Sequence, residues 1–226
     1  MESSGDDARA RAARTKRART QAVLLTAALE AFQSRGWTKT RMEEIATAAG
    51  VSVATAYKHF AGKDVLLATV YAPFVLREQE RSRHRVEAGL ATSAALEQHV
   101  RDLARMLREQ QTLALAYTRA VAEYAERVSG PVQVGDELDP RNIAPMADEM
   151  TRLISAGQRA GEFRPHPAAR EIAAMVVGQM LSRVAAYPDE HPDQGAEISL
   201  TTLFAIVAPQ RLVEAGRTGR PFAQPG

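Results

Sequence analysis

Apolar side chains recur at intervals of three and four along most of the chain, the interval expected of helices with one buried face. Leu24, Ala27, Ala28, Ala31 and Phe32 line a first helix, which Gly36 stops. A second helix starts at Thr40, whose hydroxyl can cap it while Glu43 reaches back in a T-x-x-E capping box, with Met42, Ile45, Ala46 and Ala49 facing inward. Gly50 ends that helix. Only Val51 separates Gly50 from Ser52, a cap for a third helix running through Ala56 and Tyr57 to Phe60, so the two helices turn sharply about the glycine. The spacing predicts a helix-turn-helix.

Beyond Leu66 no sustained alternation predicts a strand, and no internal repeat appears. A long fourth helix from about Lys63 carries Pro73, which should kink or interrupt it near Ala72. A fifth helix is expected from Ser93 to Gln110 and a sixth from Thr112 to Val128. Gly, Pro and Asp make a loop of Ser129 to Pro140. A seventh helix follows and ends near Gly161, an eighth spans roughly Ala168 to Tyr187, and a ninth occupies about Ala196 to Val213. The expected fold is all-α, with about nine helices. A basic, flexible arm (1–19) precedes the helix-turn-helix domain (20–66), a helical domain (67–215) follows it, and a disordered tail (216–226) ends the chain.

The run LLTAALEAFQSRGWTKTRMEEIATAAGVSVATAYKHFAGKDVL resembles the N-terminal domain of the tetracycline-repressor (TetR) family of transcriptional regulators. The matching features are Ala27-Ala28, Phe32, Gly36-Trp37, Thr40, Ile45-Ala46, Ala49-Gly50-Val51-Ser52, Thr55, Tyr57, Phe60 and Lys63. Ala54 and Ala56 depart from the family, which often has Gly and a larger apolar residue at those places. The resemblance implies a homodimeric repressor on a palindromic operator in double-stranded DNA, released by a small-molecule effector. It also implies that the C-terminal helices bind that effector and that the last two pair the subunits.

Charge agrees with a phosphate-binding module at one end. Of the 226 residues, the stretch from Arg9 to Leu66 holds eleven Lys and Arg against four acids, whereas residues 67–226 hold eighteen against twenty. Six of the eleven, Arg9, Arg11, Arg14, Lys16, Arg17 and Arg19, precede the first helix, where they can add phosphate or minor-groove contacts. An α-helix fits the major groove and meets base edges with its early residues, so Ser52, Val53, Ala54, Thr55, Lys58 and His59 are candidate DNA-facing residues. Thr40, Tyr57 and Lys63 are candidate phosphate contacts by hydroxyl, phenol and ammonium.

Thioethers and polar-tipped aromatics suit a pocket for a largely apolar effector, which makes Met106, Tyr117, Tyr124, Met146, Met150 and Met175 its candidate lining, although the same residues suit a core. The eighth and ninth helices are apolar on more than one face and need burial on both sides; the centre of a single subunit would serve, but the resemblance implies a subunit interface, which makes Ile172, Val176, Met180, Val184, Leu203 and Val207 the candidate dimer seam. The five His residues are scattered and no nucleophile motif or phosphate-cradling Gly loop is present, so no catalytic residue, metal or cofactor is expected. Without cysteines, a signal peptide or a spanning segment, the expected place is the cytoplasm, with no membrane partner. A different reading is a helical small-molecule-binding protein without operator-specific DNA binding.

Overall fold

The computed structural model describes residues 3–128 and 135–208. Among these, all regular structure is helical: α1 (Ser3–Arg35), α2 (Met42–Ala48), α3 (Val53–His59), α4 (Lys63–Glu87), α5 (Thr92–Glu109), α6 (Gln111–Val128), α7 (Pro140–Ile143), α8 (Asp148–Ala160), α9 (Ala169–Ala186) and α10 (Pro192–Val207). The expected loop lies partly, and the expected tail wholly, outside the described residues, as do the last residues of the expected ninth helix. Ten helices replace nine because the seventh divides into α7 and α8. Asp139 caps the single turn of α7 by accepting from the Arg141 amide at 2.8 Å, and Ala144 leaves helical geometry at its end. The segment expected as an arm is continuous with α1, in keeping with its many alanines. Helix α4 runs through Pro73 without interruption.

Two compact units divide the chain. The first comprises residues 1–76 and 110–145; α1 packs against α2 and α6 there, and α6 against α7. Leu24, Phe32, Ile45, Leu66, Leu67, Tyr71 and Leu113 are fully buried, with Trp37 stacked on Phe32 at a ring separation of 6.1 Å. The α2–α3 turn follows from Gly50. At φ 67° it takes the left-handed conformation, donating to Thr47 O while Val51 donates to Ala46 O, which satisfies two terminal carbonyls of α2 and reverses the chain.

The second unit comprises residues 77–109 and 146–226, with α5 packed against α8, α9 and α10. Its core includes Leu96, Leu103, Leu107, Met150, Leu153, Ile172, Val176 and Leu203. Among these apolar residues lie buried polar ones. The Glu149 carboxylate, wholly buried, is held by Arg152 at 2.6 Å, which helps keep its pKa below the usual glutamate value against the opposing effect of burial. His99 is also buried, and neither ring nitrogen has a hydrogen-bond partner.

Candidate nucleic-acid interface

Helix α3 is built to be presented rather than buried. Ser52 Oγ accepts from the Thr55 amide at 3.1 Å, capping the helix as expected, and Ala56 and Phe60 are its buried anchors. Spacing of three and four then places Ala54, Tyr57 and Lys58 together on the exposed side, while Val53, Thr55 and His59 flank them half-buried. Tyr57, 47% exposed, is no core aromatic; its phenol is free to reach a phosphate. The Ser52 and Thr55 hydroxyls lie 2.8 Å apart and bond each other, so the cap occupies both.

One phosphate assignment needs correction, and a second candidate is drawn inward. Thr40 is wholly buried, and its hydroxyl lies against Gly36 O at 2.7 Å and Ala31 O at 3.2 Å; it ties the end of α1 to the loop instead of capping α2. The N-cap of α2 is Arg41, without a side-chain cap, so the capping box with Glu43 does not form. The neighbouring Thr38, Lys39 and Arg41 are the exposed residues at this corner, whereas the T-x-x-E spacing in the sequence favours Thr40.

Lys63 turns inward as well. Its ammonium donates to Trp37 O at 3.1 Å and Thr40 O at 3.2 Å and stands 3.8 Å from the centre of the Trp37 ring. Burial draws its pKa below the ordinary lysine value, against the pull of Glu123 and Asp64. Helix α6 completes the arrangement: Glu123 accepts from the Trp37 indole at 2.5 Å, and Arg127 pairs with Asp64 at 2.5 Å. Lys63 is a cross-brace of the domain, with two of its three protons committed inside it.

The effector candidates divide. Met106, Met146 and Met150 are buried in the second unit. In the first unit Tyr117 donates to Ala144 O at 3.0 Å and Tyr124 to Asp136 at 2.5 Å, a bond that pushes the Tyr124 pKa up to about 12. Met175 is corrected: at 51% exposed on α9 it lines no interior. The six seam candidates are corrected too. Ile172, Val176, Met180, Val184, Leu203 and Val207 are buried within a single subunit, because α9 packs chiefly on α8 and α10, and α10 on α5 and α9. The face of α9 left open carries Ala174, Met175, Gly178, Ser182 and Ala185.

No helix among the described residues is long and apolar enough to cross a membrane, and none of these residues form a group of acids and His able to hold a metal. Residues 24–70 match the family described as bacterial regulatory proteins, tetR family. No curated protein matches the chain. Among solved structures, Thermus thermophilus FadR, a TetR-family transcriptional repressor in complex with lauroyl-CoA, is 22% identical with a TM-score of 0.63, over 91% of this chain and 99% of that one. Bacillus subtilis FadR, in complex with stearoyl-CoA, is 18% identical with a TM-score of 0.58, over 80% and 96%. RolR in complex with resorcinol is 16% identical with a TM-score of 0.61, over 93% and 98%. At such identities the likeness shows the fold, and the match over residues 24–70 likens the helix-turn-helix to the N-terminal region of the tetR family of bacterial regulatory proteins.

Proposed function

We propose that the protein is a cytoplasmic, homodimeric repressor that holds a palindromic operator until a small, largely apolar effector releases it. The observation that carries the reading is the exposed face of α3, where Ala54, Tyr57 and Lys58 project from a helix whose other side is anchored by Ala56 and Phe60. Ala54 and Val53 offer apolar contact suited to a thymine methyl, Lys58 and His59 offer donors, and Tyr57 holds a phosphate. Acyl-CoA and resorcinol in the related structures favour a ligand with a substantial apolar part.

The second subunit would pack on the open face of α9, where small side chains let a partner helix approach closely around Met175. The two-fold axis would space recognition helices for half-sites about 34–36 Å apart or a multiple of that distance. In this arrangement residues 20–66 bind DNA and the later helices sense and dimerise. The test is a mobility-shift titration of the DNA just upstream of the protein's own gene against random duplex: a shift at least 10³-fold stronger on the upstream DNA is expected. Equal binding to both would leave a helical ligand-binding protein without an operator.

A further inference from the structure

We infer that the N-terminal turns of α1 form a second, sequence-independent DNA contact, a positively charged rod that lies along the phosphate backbone. This rests on the DNA-binding reading of α3. Helix α1 is continuous from Ser3 to Arg35, and Leu24, Ala28 and Phe32 in its later turns are wholly buried in the helix-turn-helix core. The same helix therefore carries Arg9, Arg11, Arg14, Lys16, Arg17 and Arg19 outward from a fixed base, and all six are exposed. No acidic residue occurs between Asp7 and Glu30.

Within this stretch Arg11 and Arg14, Arg14 and Arg17, and Lys16 and Arg19 are like-charged neighbours three apart, and each pair weakly opposes the helix. A polyanion alongside relieves that repulsion. Arg9 to Arg19 extends about 16 Å at the helical rise, a length over which a duplex presents roughly ten phosphates, enough to partner every cation turned toward it. The residues between the charges are Ala and Thr, without the apolar stripe that would seat a helix in a lipid surface. At about 100° per residue the six cations fall all round the helix, so one side, roughly three of them, can face a duplex at once.

The experiment compares the full chain with its R9Q/R11Q/R14Q/K16Q/R17Q/R19Q variant, using anisotropy on labelled upstream DNA and on a random 40-bp duplex between 50 and 200 mM salt. Glutamine keeps the helix propensity. Three lost phosphate contacts per subunit lower the salt slope by about 2.7, so the affinity lost across that range shrinks by about 40-fold per subunit, equally on both duplexes. A variant with the five arginines changed to lysine retains the wild-type slope. If the glutamine variant fails to fold, the R14Q/K16Q/R17Q/R19Q variant gives the same comparison with a smaller fall. An unchanged slope with upstream binding intact overturns this inference alone, as does a loss confined to the upstream DNA. Wild-type protein that binds neither duplex overturns the DNA-binding reading with it.

Discussion

Replacing Lys63 by methionine keeps the stem over Trp37 and deletes the ammonium, separating a brace from a phosphate contact. The ammonium makes two bonds to carbonyls, at 3.1 and 3.2 Å, and sits 3.8 Å from the Trp37 ring centre. Bonds involving a charged group contribute about 1.5–3 kcal/mol each and a part-exposed cation–π contact about 0.5–1 kcal/mol. Ordering a lysine side chain costs up to about 2 kcal/mol, and the cation is partly desolvated, as its lowered pKa records. The surplus is about 1–3 kcal/mol, and methionine recovers some of the ring contact through its sulfur. Trp37 is the chain's one tryptophan, so its fluorescence reports on this domain during urea denaturation. The expected outcome is a midpoint lowered by about 1 M, with the salt slope of DNA binding unchanged. Stability held within about 0.5 kcal/mol while the slope falls by about 0.9 would refute the brace and restore Lys63 to the phosphates.

Burial pulls the His99 pKa down to about 4; Glu149 and Asp102 oppose that shift, and Arg85 and Arg152 add to it. A folded pKa below the unfolded one gives stability that is present above about pH 6.5 and lost as pH falls toward 4. Urea midpoints should record a loss of roughly 1–2 kcal/mol between pH 6.5 and 5 that His99→Leu abolishes; an equal loss in the variant would reject the assignment. Met175→Glu places a charge on the open face of α9 and should shift sedimentation from dimer to monomer without lowering the melting temperature, whereas Val176→Asp, in a wholly buried position, should lower stability by several kcal/mol. A dimer unaffected by Met175→Glu would remove that face from the interface. Gly50→Ala forces a β-carbon into φ 67° with no atom within 4 Å, so strain alone should cost about 1–2 kcal/mol in thermal or urea denaturation. A neutral effect would mean that the turn relaxes.

The order of helices, the turn at Gly50, the cap at Ser52 and the amphipathic faces of α1 and α2 depend on neighbours a few residues apart, and the sequence by itself determines them. Leu24 to Phe32 are buried where their spacing says, and the family resemblance follows from the same local register. Long-range packing decided the rest. Thr40 has a hydroxyl that can serve a cap, a phosphate or a backbone carbonyl, and only the approach of Ala31 and Gly36 selects the last. The Lys63 ammonium turns from solvent to Trp37, and α6 supplies Glu123 and Arg127 from sixty or more residues away. On α9 the two apolar stripes look alike in sequence. The one from Ile172 to Val184 goes inside, where α8 and α10 cover it, which leaves Met175 and its small neighbours exposed.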